Sequence, residues 1–355
     1  GVLIATRLSD SCEVVGISTK PVLLSGQELG GRLTTFARWR ASYMVDYKQL
    51  KKLDKVDIIH GAVSSVDFSA QSVTVDLATG GHEELSYDVL VLATGATNGF
   101  WRTDAVLSLS DIDGQLLSVS GVLSANSHLT IVGGGATGVS VADNLARSGK
   151  DIDLYFSGDL PLAGFHPRAQ RWASRVLARD GVKLHPHHRA VLPADLAGVQ
   201  LQPGTIQWST GQPPTESPLT LWAVGQVRPH TQFLPTALLD GEGFISVDEH
   251  LRVPGYANVY AVGDVAASDP LRSSARNWGW KVVVANVGRS ARGKRLKTFR
   301  AKKYQWGSVF GLQPNGLTVV QPNGLRFRFP AVVAKPFLYR IFIRRYLYGG
   351  VRSED

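Results

Sequence analysis

Three glycines at Gly133, Gly135 and Gly138 form a G-x-G-x-x-G in which the spacing itself carries chemistry. An apolar run, Leu129-Thr130-Ile131-Val132, leads in. An amphipathic stretch with Val139, Val141, Ala142 and Leu145 at helical spacing leads out, Gly149 stops it, and a second apolar run follows over 152–156. A strand, a glycine turn, a helix and a strand in this order form an anion cradle. The first glycine permits the tight turn, the second lets the backbone approach a pyrophosphate, and the third lets helix and strand pack closely. The helix N-terminus faces the negative charge. A glycine-rich turn in an ordinary α/β protein has the same composition, but the flanking elements favour dinucleotide binding.

Two further constellations bracket this unit. Upstream, an apolar run ends in Leu92-Ala93-Thr94-Gly95; downstream, Val259-Tyr260-Ala261-Val262 ends in Gly263-Asp264. Buried parallel strands read this way, with ligands outside their carboxyl ends. A carboxylate there can accept hydroxyl protons from a ribose or ribityl chain; capping a helix is its other use. Leu219 to Gly225 repeats the pattern of an apolar strand ending in glycine. His185, His187 and His188 cluster without evident carboxylate or cysteine ligands, and a surface turn suits them better than a metal site.

The elements that must position these groups read as a fragmentary first unit. Residues 1–8 read as a helix with no strand before it, and Glu13 to Ile17 as a strand. Gly1 then stands as the last glycine of a second, incomplete glycine turn, so a strand is expected to precede the given sequence, and the 355-residue chain is expected to hold its ligand less well than a longer one. Lys20 to Arg40 reads as a polar loop, Tyr43 to Leu53 as a short helix, and Val56 to His60 and Ala62 to Phe68 as strands. Val73 to Leu77 and Glu83 to Tyr87 form a hairpin. Tyr87 to Ala96 is a strand with its turn. Asp111 to Leu123, Ala169 to Arg179 and Ser273 to Arg292 read as helices. Val182 to Pro186 and Ile206 to Trp208 read as strands, and Leu312 to Phe329 as two or three strands with Pro-Asn-Gly turns.

Composition narrows the classes. The chain is 44% hydrophobic and carries a net charge of +9, concentrated late in the sequence. The single cysteine, Cys12, excludes an internal disulfide and any C-x-x-C redox pair. No uncharged apolar stretch reaches the roughly 18 residues a bilayer span needs.

The order of these motifs resembles the two-dinucleotide-binding-domain flavoproteins of the pyridine nucleotide-disulfide oxidoreductase superfamily, and within it the type II NADH:quinone dehydrogenases and apoptosis-inducing-factor-like enzymes. The resemblance covers nearly the whole chain. It implies an α/β fold of two Rossmann-like units: an FAD domain from residues 1–110 and 226–295, an NAD(P)H domain from 111–225 inserted in it, and a basic-aromatic C-terminal segment from 296–355. It implies FAD held by Gly1, the Val63 region, Thr94, Gly95, Gly263 and Asp264, with Ser274 and Ala275 offering backbone N–H groups to the flavin. It implies NADH or NADPH held by Gly133, Gly135, Gly138 and Gly225. Relatives carry a glutamate where Ser140 stands, and an acidic ribose-binding residue where Phe156 and Ser157 stand, so either nucleotide is admitted and Arg168 or Arg171 could pair with a 2′-phosphate. Asn277 and Trp278 occupy the stretch where quinone reductases place glutamines, making them candidates for the acceptor site.

The expected reaction is hydride transfer from NAD(P)H to flavin, then electron release to a diffusible acceptor, a quinone foremost, with no obligatory catalytic side chain. A ferredoxin- or rubredoxin-type reductase is the alternative within the class, and a degenerate nucleotide-binding flavoprotein the alternative outside it. The tail, with Phe337, Leu338, Ile341, Phe342, Tyr346 and Leu347 among Lys335, Arg340, Arg344 and Arg345, suits an interfacial membrane contact or a homodimer surface better than nucleic acid. The resemblance implies a cytoplasmic protein, peripheral on the inner face of the membrane if the tail attaches there.

Overall fold

The computed structural model describes residues 1–24, 29–97, 103–194, 196, 201–224, 227–271 and 277–352. Helix α1 (Val2–Leu8) follows Gly1 and buries Ile4, Thr6 and Leu8. Strand β1 (Val14–Ser18) comes next; Cys12 precedes it in an exposed turn rather than lying within the strand. The stretch 20–40, expected as a loop, instead holds β2 (Val22–Leu24), α2 (Leu29–Thr34) and the start of α3 (Phe36–Tyr43). Trp39 and Tyr43 of α3 are buried in a core with Leu50 and Leu53, and that burial is what holds the helix. Nor is 43–53 a helix. It is β3 (Met44–Asp46), paired antiparallel with β2, and two tight 3-10 turns.

The two strands expected between 56 and 68 are one, β4 (Val56–Asp67), with its register shifted between Val63 and Ser65. Such a bulge bends a strand without ending it. The first half of β4 pairs parallel with β1; the second half pairs antiparallel with β5 (Ser72–Leu77), which pairs with β6 (His82–Ser86). Only Leu90–Leu92 of the long apolar run is strand, β7, followed by a two-residue strand β8 (Ala96–Thr97).

Helix α4 (Leu109–Ala125) opens on a reciprocal cap in which Ser108 and Asp111 satisfy each other's backbone donors. The inserted unit follows: β9 (His128–Val132), α5 (Ala136–Arg147), β10 (Asp151–Tyr155), α6 (Pro167–Arg179), β11 (Lys183–His185), β12 (Leu201–Ile206) and β13 (Thr215–Trp222). Its sheet runs β11-β10-β9-β13-β12, parallel except for β12. Leu129, Ile131, Ile152 and Leu154 fill the face under α5 and α6. On the other face Tyr155 stacks on His185 and Trp208, at centroid distances of 4.2 and 4.7 Å. His185 also bonds Asp153, and His188 bonds the Pro186 carbonyl. These two histidines are therefore engaged in sheet packing and in closing a turn.

The chain then returns to the first unit. Strand β14 (Arg228–Pro229) pairs with β8, and β15 (Val259–Ala261) pairs parallel with β7. Helix α7 (Gly279–Ser290) is shorter than the expected 273–292. Asn277 and Trp278 precede it in a turn, Trp278 with a left-handed φ of 68°, and 273–276 lie outside the described residues. The last segment straddles both units. Strands β16 (Leu312–Gln313), β17 (Gly316–Val320) and β18 (Arg326–Phe329) form a small sheet that delivers Val320 to the core of the inserted unit. Helix α8 (Ala331–Ala334) and a wider π-helical run, Lys335–Leu347, follow; Phe342, Leu347 and Tyr348 join the core of the first unit.

Candidate functional site

The glycine turn after β9 is built by contact. Gly133 takes a φ of 126°, and its N–H donates to the Tyr155 carbonyl at 2.8 Å. On the other side the Ala223 N–H donates to the Val132 carbonyl at 2.7 Å. A β-carbon on Gly133 would lie 2.5 Å from the Ala223 oxygen, and one on Gly138 would overlap the Gly133 carbonyl. One on Gly135 would meet nothing within 4 Å. The outer glycines are thus required by the chain's own packing, while the middle one faces open space at the head of α5. The N-cap Gly135 offers no side chain to cap that helix, which leaves its first N–H groups suited to an anion. Gly134 is as constrained as Gly133, because a β-carbon there would lie 2.6 Å from the Phe156 β-carbon; the motif pattern does not single it out. Gly225 falls outside the described residues.

Phe156 follows β10 and is buried, and Ser157 after it is exposed. No carboxylate stands at either position. Asp159, two residues on, has a 90% exposed side chain, 3.6 Å from His187 Nδ1. A fixed count from the glycines passes over it because the loop continues beyond the strand. Arg168 sits in the first turn of α6, its N–H donating to His166 Nδ1 at 3.2 Å, and the C-terminal Gly324 lies over it. Arg171 is exposed one turn along. Ser140 does not face the open side of the cradle. It is buried, and its hydroxyl accepts the Gly30 N–H of α2 at 3.2 Å. Asn144, one turn on, donates to the Ser140 carbonyl at 2.8 Å. Here the helix head is bolted to the first unit.

The second constellation gathers at the carboxyl ends of β7 and β15. A β-carbon on Gly1 would come 3.8 Å from that of Ala93, so the head of α1 meets the end of β7. Beyond it Gly95 turns with φ 77°. The Val262 N–H donates to the Leu92 carbonyl at 3.0 Å, which brings Gly263 (φ 89°) and Asp264 alongside. No helix starts at Asp264; residues 263–266 form a turn closed from Ala266 N–H to the Gly263 carbonyl. The Thr94 hydroxyl donates to the His230 carbonyl at 2.8 Å. His230 answers with both ring nitrogens, Nδ1 3.0 Å from the Thr94 carbonyl and Nε2 2.9 Å from the Thr97 hydroxyl. A carbonyl can only accept, so the ring proton sits on Nδ1. This clasp joins β8 and β14, and no motif announces it. Val63 stands apart, in β4 opposite Val75. Ser274 and Ala275 lie outside the described residues.

At the head of α7, Asn277 Oδ1 accepts the Trp306 indole N–H at 2.7 Å. The Lys281 ammonium lies 3.3 Å from the Trp278 ring centre, and Trp280 stacks near it at 6.4 Å. A cation held over one ring face is favourable; it also covers that face.

A glycine-turn unit inserted in a second α/β unit defines a two-dinucleotide-binding oxidoreductase fold. The chain belongs to the pyridine nucleotide-disulphide oxidoreductase family, whose profile matches residues 3–287. It is 26% identical over 255 residues to ferroptosis suppressor protein 1 of Xenopus tropicalis, covering 69% of this chain and 66% of that one. It is 29% identical over 260 residues to the external alternative NAD(P)H-ubiquinone oxidoreductase B1, mitochondrial, of Solanum tuberosum, covering 61% and 42%. The chain thus spans about two thirds or less of these relatives' length. Its fold is shared by the sulfide:quinone oxidoreductase of Aquifex aeolicus, with a TM-score of 0.71 at 14% identity over all of this chain and 90% of that one. The family works with FAD and NAD(P)H. The residues present fit them. The open Gly135 above a tightly packed Gly133 and Gly138 suits a nucleotide pyrophosphate, and the small residues at the ends of β7 and β15 leave room for a second dinucleotide beside Asp264.

Proposed function

We propose that this chain is an FAD-dependent NAD(P)H dehydrogenase that passes electrons from reduced flavin to a diffusible acceptor, a quinone. The observation that carries the reading is the complete glycine cradle of the inserted unit, joined to the first unit through Ser140 and Gly30. Bound FAD supplies the hydride-accepting and electron-releasing chemistry. The chain's own residues hold and orient: Gly133, Gly135 and Gly138 seat the nicotinamide nucleotide, and Gly1, Thr94, Gly95, Gly263 and Asp264 seat FAD. Ser274 and Ala275 belong to the FAD set, and Gly225 and Ser157 to the nucleotide set, by resemblance. Asn277 and Trp278 line the acceptor side. Cys12 is the chain's one cysteine and is exposed in a turn, which supports direct electron release over a dithiol relay.

The tail supports peripheral attachment. Leu325, Phe327, Phe329, Val332, Phe337, Ile341 and Tyr346 are exposed apolar groups interleaved with Arg326, Arg328 and Arg345, a pattern suited to an anionic lipid interface. Among the described residues no helix is long and apolar enough to cross a membrane. The same surface would serve a homodimer.

A second reading has its own observation. Between Arg289 and Lys303 lie eight basic residues and no acidic one. Seven of them, Arg292, Lys294, Arg295, Lys297, Arg300, Lys302 and Lys303, are exposed. The backbone is pinned where Asn286 Oδ1 accepts the Lys297 N–H at 2.7 Å and the Glu249 carbonyl accepts the Phe299 N–H at 2.7 Å. An ordered cationic strap favours an acidic protein carrier as acceptor.

One titration tests all of this. The flavoprotein is reduced anaerobically with NADH, then with NADPH, and reoxidised with a short-chain quinone or an acidic ferredoxin at low and high salt. Fast bleaching followed by salt-insensitive reoxidation with quinone supports the main reading. Salt-sensitive reoxidation by ferredoxin alone selects the second. A flavin that neither nucleotide bleaches overturns both.

A further inference from the structure

Asp143 lies in the third turn of α5 with no exposed surface. The cradle chemistry does not use it. Its Oδ2 accepts the Gln313 side-chain N–H at 2.7 Å, across to the small C-terminal sheet. Its Oδ1 has no donor among the described residues. The Asp143 side chain also pairs with a second carboxyl group, Asp180, which follows α6 and has a side chain 13% exposed. Two carboxylates in contact cannot both stay ionised cheaply; one proton between them satisfies both.

The charged groups that face Asp143 come from two elements. Arg147, one turn on along α5, is exposed, and α6 brings Asp180 with Arg179, whose guanidinium grips Asp180 at 2.7 Å. From the C-terminal sheet β16 brings the neutral Gln313, and β18 brings Arg328 to the cavity that Gln313 and Arg179 also line. From the first unit α2 packs on this helix through the backbone of Gly30, against Ser140 and Asn144. Arg179 is thus spent on Asp180, and Asp143 is left as the member of the pair that carries the proton.

We propose that Asp143 and Asp180 share a proton that latches the β16–β18 sheet onto the nucleotide-binding helix α5, and that losing this proton loosens the sheet. With the proton in place, the Asp143 hydroxyl donates to Asp180 and the other oxygen accepts from Gln313, so no buried polar atom is orphaned. Without it, a buried negative charge faces Asp180 with one amide to hold it. A cavity of about 40 Å³ lined by Trp172, Arg179, Phe310, Gln313 and Asn315 opens beside the latch and gives water a way in.

Burial first, then the neighbouring Asp180, raises Asp143 to about 7, whereas Arg179 holds Asp180 low. The sign follows. The native state keeps a proton that the unfolded chain gives up near pH 4, so stability falls as pH rises from there through about 7. Asp180 stays ionised throughout that window and adds no slope of its own.

The test is hydrogen exchange over residues 312–329 of the intact holoprotein between pH 5.5 and 8.5, corrected for intrinsic exchange, in wild type, Asp143→Asn and Asp180→Asn. Asn at 143 keeps the Gln313 contact and cannot ionise. Wild type is expected to lose protection several-fold between pH 5.5 and about 7 and to level off above that. Asp143→Asn keeps its protection across the range, and Asp180→Asn moves the loss to lower pH, because the like charge opposing ionisation is gone. Should either variant fold poorly, the wild-type carbonyl infrared signal of a buried protonated carboxyl, bleaching over the same range, reads the same proton. Protection in wild type that is flat with pH, or that changes alike in Asp143→Asn, overturns the latch.

Discussion

The carbonyl oxygen of Gly133 occupies the place where any side chain at position 138 would begin: a β-carbon on Gly138 would overlap it. Gly138→Ala must therefore push the head of α5 off the sheet. Overpacking of this kind costs about 1–3 kcal/mol. The variant is expected to melt lower and to bind NAD(P)H at least ~10-fold more weakly, since ~1.4 kcal/mol corresponds to a factor of ten. Gly135→Ala, with open space around it, should leave the unfolding free energy within ~1 kcal/mol of wild type while still weakening nucleotide binding. Equal loss of stability in both variants would contradict the division of labour among the three glycines.

Nucleotide choice is expected to turn on Ser157. It is exposed where β10 ends, and no carboxylate stands there to repel a 2′-phosphate. Ser157→Glu adds that charge. Steady-state kinetics should show KM for NADPH rising ~10-fold with the value for NADH unchanged or lower. An equal effect on both nucleotides would place the ribose elsewhere.

The His230 clasp is structural support for the FAD side. Replacing His230 by Ala leaves the Thr94 carbonyl without its imidazole donor and the Thr97 hydroxyl without its partner, at a cost of about 1–3 kcal/mol for an orphaned, part-buried group. We expect a lower melting temperature and a reduced flavin-to-protein ratio after gel filtration. Full flavin retention with normal melting would remove the clasp from the account.

If the proposed acceptor side is right, a change at Trp278 is expected to separate the two half-reactions. With Lys281 seated on its ring at the head of α7, Trp278→Ala should leave reduction of the flavin by NAD(P)H within ~2-fold of wild type. Reoxidation by quinone should slow ~10-fold, as expected for loss of an aromatic contact worth ~1 kcal/mol or more. Stopped-flow traces of each half read this directly. Slowed reduction with normal reoxidation would mean that the residue serves the nucleotide.

The inserted unit was legible because its signals are local. The glycine turn and the apolar strands around it each lie within a few residues of what they determine. The stretch 20–40 was not. Helix α2 carries two adjacent glycines, poor helix formers, and it persists because Gly30 fits against Ser140 and Asn144 more than a hundred residues away. The head of α7 misled for the opposite reason: 273–292 has helical composition throughout, yet Trp278 turns left-handed before Gly279. For the site, His230 escaped notice because nothing in its immediate sequence marks it; it acts on residues 133 and 136 positions away.

Helix α4 places Ile112 and Leu116 in the core of the first unit and Leu123 in that of the inserted one. The C-terminal segment repeats the pattern, with Val320 in one and Tyr348 in the other. The two units are consequently poor candidates for modular exchange. A chimaera that swaps residues 111–225 with those of a relative would take Ile112 and Leu116 out of the core of the first unit and strand the segment that fastens both. The smallest portable piece is the inserted unit together with α4 and the β16–β18 sheet. Calorimetry should register the intact protein as one melting transition, not two.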